Sequence, residues 1–320
     1  MSALPAHVVL QGDGVYSVDT HYLRPGLAAS HLILDGGRAA FVDTGTNNSV
    51  PSLLAALEAL EIARDDVDYV FLTHIHLDHA GGAGLLMQSL PNARCVVHPR
   101  GSRHMLDPAK LMAGTRAVYG AGQTAKLYGE ILPIDEARLV VAADGESVNL
   151  GSRRLELFYT EGHARHHYCI HDPASFGVFT GDSFGVSYRA LDTAAGEFVF
   201  PSTTPVHFDP DAAHAAVEAI LGHGPRCVYL THYSRVTDIA RLAGDLHGDI
   251  DAFVGIALAA RDATDRQAQI RAALGDYLSK RIEAHGYTGG RDAIAAIISA
   301  DIELNAQGLD VWLSRQEAGQ

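Results

Sequence analysis

Short apolar runs separated by glycine and aspartate occupy the first half of the chain. Four of these runs are β-branched or aromatic and end in turn residues, which is typical of meandering strands; they are HVVL, GVYSVD, SHLILDGG and RAAFVDTGT. Apolar residues at mostly helical spacing predict a helix from about Val50 to Ile62. A strand from Tyr69 to Thr73 and a buried strand within ARCVVHP follow, so this half is expected to be rich in strands.

The middle of the chain returns to strands after a helical stretch, and the last third is helical. Residues 102–129 are expected to be helical, and the later strands are predicted within ARLVVA, ESVNLGSRRLELFYT, YCIHD and FGVFTGD. DPDAAHAAVEAILGHG begins with an Asp-Pro start signal and predicts a helix, while RCVYLTH predicts a last strand. Beyond about Thr237 we expect only helices, with an apolar stripe in residues 262–286 and two separate helices near 291–299 and 306–317. This tail is a lid, a dimer surface or internal packing, and the pattern does not choose between them.

The decapeptide THIHLDHAGG, residues 73–82, is the densest group of polar chemistry in the chain. Its candidate metal ligands are His74, His76, Asp78 and His79. His74 and His76 alternate across Ile75, so both lie on one face of an extended chain. Gly81 and Gly82 then allow close backbone packing at a helix start. Neutral imidazoles and a carboxylate suit zinc, iron or manganese, and burying them without a partner costs several kcal/mol. The decapeptide therefore predicts a divalent metal site.

Three other predicted strands each end in one candidate ligand. These are His163 after Leu155–Tyr159, Asp182 after Phe176–Thr180, and His232 after Cys227–Leu230. Loops at the strand ends of a sandwich or open sheet bring side chains to a common rim. We therefore expect these three residues to complete the metal site of the decapeptide.

Composition limits the class of protein. The chain has 320 residues, of which 47% are hydrophobic and 19% charged, enough for a large core or for one and a half domains. Its start lacks the pattern of a signal peptide, and no apolar run approaches the roughly 20 residues of a membrane span. The three cysteines are far apart in apolar stretches and are expected to be reduced core residues. These features predict a cytoplasmic protein with no membrane partner.

The charge balance disfavours a nucleic-acid partner. The formal net charge is −14, whereas affinity for nucleic acid comes largely from a positive field. A small-molecule substrate is the expected partner, and the apolar helical tail makes a homodimer plausible. One segment departs from the acidity: between residues 94 and 126, six arginines and lysines are opposed only by Asp107. This basic segment is either a solvated face or part of a substrate site.

The order HxHxDH, His, Asp, His resembles the metallo-β-lactamase-fold hydrolases, which include glyoxalase II-type thioesterases and lactonases. The match spans roughly Val8 to Tyr233. It implies an α/β (α+β) fold, a four-layer αββα sandwich, with a C-terminal helical extension. The implied catalytic domain is 1–236 with a helical insert at about 100–135, and the extension is 237–320.

The resemblance also implies a ligand set for two divalent metals. His74, His76 and His163 would hold the first metal, Asp78, His79 and His232 the second, and Asp182 would bridge them. Asp43, in FVDTGT, matches the aspartate that braces the metal loops of the family. Two ions, with zinc favoured over iron or manganese, would share a water and lower its pKa to give hydroxide near neutrality. Asp78 would also orient this nucleophile and pass on its proton.

The sequence departs from the family pattern beside His163. Relatives often have TPGHTPGH where this chain has TEGHARHH, so Glu161 replaces proline, and Arg165 and His166 replace small or turn residues. Arg165 and His166 are therefore expected either to face a substrate or to occupy a solvent-facing turn.

The basic segment resembles an insert found in a poorly characterised group of these hydrolases, where it borders the mouth of the active site. Its basicity then favours an anionic ester, thioester or lactone, with Arg100, Arg103 and Lys110 as substrate contacts. Tyr119, Tyr128 and Tyr233 are possible oxyanion donors, although a core or rim position is the preferred expectation for each.

Three functions remain open. The first is a dinuclear hydrolase of a small ester, thioester or lactone. The second is a persulfide dioxygenase-like enzyme with a single non-heme iron, held by His74, His76 and Asp182 and by contacts like those of His163. The third is a non-catalytic, metal-stabilised signalling protein. The aspartate at position 182 disfavours the β-lactamases proper, where that ligand is typically cysteine.

Overall fold

The chain forms two compact units. The computed structural model describes residues 4–203 and 206–319, apart from the side chains of residues 118 and 119. Unit 1 comprises Met1–Tyr159, His166–Gly181 and Pro225–Arg235, and unit 2 comprises Thr160–Arg165, Asp182–Gly224 and Val236–Gln320. These units do not follow the expected boundary between residues 236 and 237. The division into a catalytic domain and a C-terminal extension therefore stays a prediction.

The first sheet of unit 1 has seven strands in chain order. They are β1 (Val8–Gly12), β2 (Val15–Asp19), β3 (Ala29–Asp35), β4 (Arg38–Val42), β5 (Val67–Leu72), β6 (Arg94–Val97) and β7 (Leu139–Val141). Strands β1 to β4 are antiparallel, and β4 to β7 are parallel. Gly36 and Gly37 join β3 to β4 with φ values of 57° and 82°, the backbone that a two-residue hairpin turn requires. The predicted strand meander is confirmed.

Helices connect the parallel strands, as strands in this direction require. They are α1 (Val50–Ala59), α2 (Leu77–Ala80), α3 (Ala83–Ser89), α4 (Pro99–Leu106), α5 (Ala109–Tyr119) and α6 (Ala121–Tyr128). Leu53 and Leu57 of α1 and Leu86 of α3 share one buried core with Phe41 and Leu72 of the sheet. The predicted helix from Val50 is confirmed as α1, and the helical character of residues 102–129 is confirmed by α4 to α6.

The second sheet of unit 1 is ordered β13-β12-β11-β10-β9-β8. Its strands are β8 (Ser147–Leu150), β9 (Arg153–Tyr159), β10 (Tyr168–Asp172), β11 (Gly177–Gly181), β12 (Cys227–Leu230) and β13 (Ser234–Val236). Alternate residues of both sheets, including Ile33 and Phe71 from the first and Leu157 and Ile170 from the second, form a common core. Strand β13 was not predicted, because its sequence Ser-Arg-Val contains a single apolar residue.

The three cysteines match the expectation of reduced core residues. Cys95, Cys169 and Cys227 are buried free thiols. Burial raises the pKa of Cys95 to about 12, so this thiol stays protonated at neutral pH. Within residues 4–203 and 206–319, no helix combines the length and the apolarity that crossing a bilayer requires.

The helices of unit 2 follow the predicted apolar stripes with one correction. They are α7 (Pro210–Gly222), α8 (Ile239–Ala259), α9 (Arg266–Ala284) and α10 (Gly290–Ala318). The expected pair of helices near 291–299 and 306–317 is wrong, because α10 runs through both. Residues 300–305 contain neither glycine nor proline to end the helix. Asn305 is buried within it and accepts a hydrogen bond of 2.6 Å from the Thr203 amide.

Buried His31 in β3 predicts a pH dependence of stability. Burial lowers the pKa of His31 from 6.5 to about 4, while its Nε2 lies 3.0 Å from the Leu230 carbonyl. As the pH falls from about 6.5 to 4, the unfolded chain therefore binds a proton at this residue that the folded chain does not. Above about pH 6.5 the contribution of His31 to the free energy of unfolding is complete. Between about pH 6.5 and 4 this contribution falls by about 3 kcal/mol.

Urea denaturation between pH 7 and pH 4.5 checks this prediction. The free energy of unfolding of His31→Gln should fall less over this range than that of the unmutated chain. His21→Gln, at an exposed position, is the matched control and should keep the original slope. Parallel curves for the unmutated chain and His31→Gln would contradict the prediction.

Candidate metal centre

The residues after β5 place several imidazoles close together in unit 1. The chain leaves β5 at Leu72, and α2 begins at Leu77, so His74 and His76 occupy the short extended link between them. Nε2 of His74 lies 2.8 Å from Nδ1 of His76. The expected approach of these two side chains is therefore observed, and two ring nitrogens converge on one point.

Asp43, the residue directly after the neighbouring parallel strand β4, braces this link. Its backbone has φ 59°, a left-handed conformation that non-glycine residues rarely adopt. The fully buried carboxylate accepts hydrogen bonds from the Thr73 amide (2.9 Å), the Thr73 hydroxyl (2.9 and 3.0 Å), the Thr231 hydroxyl (2.7 Å) and Nδ1 of His79 (2.8 Å). Asp43 therefore ties the loop after β5 to the loop after β12.

Asp43 also fixes the tautomer of His79. A carboxylate only accepts hydrogen bonds, so Nδ1 of His79 carries the proton and, in the neutral ring, Nε2 carries the lone pair. That nitrogen lies 3.8 Å from Oδ2 of Asp78. His79 is buried and thus presents one lone pair toward a carboxylate oxygen.

His232, at the end of β12, is arranged in the same way. Its Nδ1 donates to the Leu27 carbonyl at 2.9 Å, and its Nε2 lies 3.3 Å from the same Oδ2 of Asp78. One donor atom from each of Asp78, His79 and His232 lies within 4.8 Å of the other two. Unit 1 therefore brings together the three residues expected for the second metal.

Unit 2 contains a histidine and an aspartate that lie close together in a similar arrangement. His163 follows β9, and Asp182 follows β11 directly. Nδ1 of His163 donates to the Ser202 carbonyl at 3.0 Å, and its Nε2 lies 3.5 Å from Oδ2 of Asp182. Both residues line a largely apolar cavity of about 20 Å³, room for roughly one water molecule. His163 therefore also presents an Nε2 lone pair toward a carboxylate oxygen.

His166 is buried beside the first imidazoles of unit 1. Its ring centroid lies 5.6 Å from that of His76 and 6.1 Å from that of His74, and the residue is 8% exposed. A solvent-facing turn is therefore wrong for His166, because its ring packs against those rings. Arg165, in unit 2, is exposed. A substrate contact by either residue stays a prediction.

The close packing of Gly162 leads to a prediction about the position of the neighbouring His163. Its φ is +127°, and a Cβ there would lie 2.5 Å from the backbone of Ala213 in α7. Its carbonyl also accepts from the Asp209 amide at 2.9 Å. Gly162→Ala must therefore shift the backbone beside His163. We expect it to lower the free energy of unfolding by about 1 to 3 kcal/mol and to weaken metal binding.

Urea denaturation and zinc titration of Gly162→Ala check this prediction. Gly255→Ala is the matched control, since a Cβ at Gly255 in α8 meets nothing within 4 Å. This control should keep its metal affinity and lose no stability. Equal behaviour of the two variants would show that the close approach at Gly162 does not position His163.

The basic insert packs beside the loop that follows β5. A Cβ on Gly101 of α4 would lie 2.7 Å from the Ile75 side chain, so the absence of one allows this contact. Met112 of α5 and Tyr128 of α6 form a small core with Leu77 of α2. Within unit 1, α4 to α6 therefore border the residues on both sides of His76.

The predicted substrate contacts of the insert are on its surface. Arg100, Arg103 and Lys110 are exposed. Desolvation, followed by the positive charges of Arg103 and Lys110, lowers the pKa of His104, which indicates a positive field at the junction of α4 and α5.

The candidate oxyanion donors have different environments. Tyr128 is buried, and its hydroxyl is 2.8 Å from that of Tyr22, which fits the expected core position. Tyr233 is partly exposed, and the side chain of Tyr119 lies outside the described residues. Substrate contact by Tyr233 stays a prediction.

Sequence reasoning did not find the carbonyl acceptors of the site. Leu27 and Ser202 fix ring nitrogens of His232 and His163 through their backbone oxygens. Every residue carries such an oxygen, so no side-chain pattern could have indicated these two. Thr231 offered a weak signal, since it stands next to a candidate ligand.

Two β-sheets with imidazole and carboxylate donors after their strands define an α/β protein with candidate metal-binding residues. The chain belongs to the metallo-beta-lactamase superfamily, whose family model matches residues 23–232. The solved structure of ST1585, an archaeal member from Sulfolobus tokodaii, has a TM-score of 0.63 at 23% identity and covers 92% of this chain and 98% of that one. The predicted metallo-β-lactamase fold with C-terminal helices is therefore confirmed.

Curated relatives are similar over part of the chain. ST1585, called a metallo-beta-lactamase fold-containing protein, from Sulfurisphaera tokodaii, is 27% identical over 57% of this chain. A hydroxyacylglutathione hydrolase from Maricaulis maris is 28% identical over 47%, and the human acyl-coenzyme A thioesterase MBLAC2 is 27% identical over 57%. The matches cover 64%, 44% and 68% of these relatives, so this chain spans less than two thirds of the first two.

Proposed function

We propose that this chain is a dinuclear metal-dependent hydrolase of a small anionic thioester, ester or lactone. In this proposal His74, His76 and His163 would hold one metal, Asp78, His79 and His232 would hold the other, and Asp182 would be a ligand of both. Membership of the superfamily supports metal-dependent chemistry. The names of the relatives, a hydroxyacylglutathione hydrolase and an acyl-coenzyme A thioesterase, support hydrolysis of a thioester.

The tautomers of three histidines are the observation that carries the proposal. His79, His232 and His163 each donate Nδ1–H to a fixed acceptor, which leaves Nε2 within 3.3 to 3.8 Å of a carboxylate oxygen. A lone pair and a carboxylate oxygen are both acceptors, so a cation between them is stabilising. Histidine held through its other ring nitrogen is the usual form of a metal ligand. The donor set therefore fits divalent metals.

The residues of this chain have separate roles in the proposed reaction. Two divalent ions in such a site supply an activated water and polarise the carbonyl under attack. Asp78 has a side chain 23% exposed and an oxygen beside two ligand nitrogens, so it can orient that water and accept its proton. Asp43 keeps the His79 ring and the loops after β5 and β12 in position through its four donors. The exposed cations of the insert attract and orient an anionic group of the substrate.

Metal quantification on protein purified without chelator, paired with a screen of esters, thioesters and lactones, tests the proposal. We expect about two equivalents of metal and hydrolysis of at least one thioester or ester, lost on chelation. One equivalent of iron with oxygen uptake on a persulfide would favour the dioxygenase instead. Bound metal without turnover of any substrate would favour the non-catalytic signalling protein.

The insert predicts a preference for anionic substrates. Arg103→Ala and Lys110→Ala are expected to lower kcat/KM for an anionic thioester by about tenfold, as loss of roughly 1.4 kcal/mol of binding would do. A neutral thioester of the same size should be hydrolysed as before. Arg94→Ala, at an exposed position on β6, is the matched control. Equal losses for anionic and neutral substrates would remove the insert from substrate recognition.

A further inference from the structure

Helices α7 and α8 of unit 2 carry a four-residue cluster outside the proposed catalytic ligands. His214 and Glu218 lie four residues apart on α7, and His247 and Asp251 lie four residues apart on α8. Each histidine pairs with the carboxylate of the other helix: His214 Nε2 is 3.2 Å from Asp251 Oδ1, and His247 Nε2 is 2.9 Å from Glu218 Oε1. Nδ1 of His214 is 2.6 Å from Nδ1 of His247.

The protonation of these rings follows from the acceptors that they face. Ionised Asp251 and Glu218 only accept hydrogen bonds, so both Nε2 atoms carry protons. A neutral imidazole has one proton, so both Nδ1 atoms then carry lone pairs. Two lone pairs that face each other at 2.6 Å repel unless a cation lies between them. The cluster is therefore built around a positive charge.

We propose that His214 and His247 bind a divalent metal ion such as Zn²⁺, Ni²⁺ or Cu²⁺ through their Nδ1 atoms. Imidazole nitrogen suits these borderline ions. Two nitrogens on one tetrahedral zinc lie roughly 3.3 Å apart, given Zn–N bonds of about 2.0 Å. The two rings need to separate by about 0.7 Å and to tilt toward the ion to reach this arrangement. Their side chains are 29% and 27% exposed, so they can rotate and water can complete the coordination.

The carboxylates give this site its orientation and charge. Asp251 and Glu218 hold the Nε2–H groups, which fixes both rings with Nδ1 toward the ion. Their two negative charges balance a divalent cation. The two ring centroids lie 4.9 Å apart at an interplanar angle of 15°, and the rings belong to different helices. A bound ion would therefore crosslink α7 to α8 within unit 2.

Comparing the number of metal equivalents bound by the variants and by the unmutated chain tests this site separately from the proposed catalytic metals. The full-length chain is equilibrated with Zn²⁺ and analysed by native mass spectrometry and calorimetric titration. His214→Gln and His247→Gln are each expected to bind one equivalent fewer than the unmutated chain, or to bind it at least tenfold more weakly. His104→Gln is the matched control, because the neighbouring cations of His104 disfavour a metal, and it should lose no equivalent.

Variants of the carboxylates keep the proposal falsifiable if a histidine variant folds poorly. Asp251→Asn and Glu218→Gln retain both imidazoles and should weaken the same equivalent by about 10- to 100-fold. Zinc should also raise the Tm of the unmutated chain more than that of any variant at this cluster. The same stoichiometry and affinity in all four variants and the unmutated chain would overturn the proposal. A ¹⁵N-detected proton that stays on an Nδ1 atom in saturating zinc would also overturn it, since a shared proton would then be the cation.

Discussion

Replacing Asp78 by alanine is expected to lower kcat for the hydrolysed thioester by at least about 100-fold and to remove one metal equivalent. Oδ2 of Asp78 lies 3.3 Å from Nε2 of His232 and 3.8 Å from Nε2 of His79. The variant therefore loses one of the three expected ligands of the second metal together with the group proposed to take the proton from water. Both losses act on the chemical step.

Two further variants separate these roles of Asp78. Asp78→Asn keeps an oxygen of similar position, so it should retain more of the second metal than Asp78→Ala while still losing kcat. Asp107→Ala, at the single acidic residue of the basic segment, is the matched control and should bind metal normally. Measurements are metal equivalents by mass spectrometry and kcat for one thioester. Full activity of Asp78→Ala at saturating zinc would contradict the proposed role.

Asp43→Ala is expected to have the largest effect on stability, a loss of about 3 to 5 kcal/mol of unfolding free energy. The buried carboxylate accepts from the Thr73 amide and hydroxyl, the Thr231 hydroxyl and Nδ1 of His79. Alanine leaves these donors buried without this acceptor. Alanine also removes the acceptor that keeps the proton on Nδ1 of His79. The affinity for metal should therefore fall together with the stability.

Urea denaturation and zinc titration of Asp43→Ala measure both effects. Thr231→Val removes a single donor to the same carboxylate and should cost about 1 kcal/mol. Asp35→Ala, at the partly exposed end of β3, is the matched control for loss of an acidic residue and should leave zinc affinity unchanged. An Asp43→Ala variant as stable as Asp35→Ala would show that the hydrogen bonds of Asp43 do not hold the two loops together.

A pattern predicts an element when the element is long enough to repeat it. Strands β2 to β5 and helix α1 show their period or their turn residues, and the structure has them at nearly the expected bounds. The stripe of Ile270, Leu274, Leu278 and Ile282 in α9 is buried, as expected. The three residues of β13 include a single apolar one, so no pattern marked this strand, and α10 was wrongly divided into two helices although residues 300–305 contain no stop signal.

The residue types of the candidate ligands could also be predicted from the sequence. Three histidines and an aspartate after one predicted strand, and single ligands after three others, are local features of the chain. The environment of His166 was not readable, because an identical residue in a turn can face solvent or pack against other rings. Its ring packs against those of His74 and His76, in the link that follows β5 and is far away in the sequence.

The sequence by itself predicted the superfamily through a resemblance, and it indicated most of the strands and the candidate ligands through residue type and short-range spacing. Only the tertiary structure indicated which nitrogen carries the proton in five histidines, namely His79, His163, His214, His232 and His247. That choice depends on Asp43, on the Leu27 and Ser202 carbonyls, and on a pair of carboxylates across α7 and α8. A hydrogen-bond acceptor brought in from a distant segment has no signature beside the ring that it orients, so folding alone assigns the lone pairs on which the proposed metal binding depends.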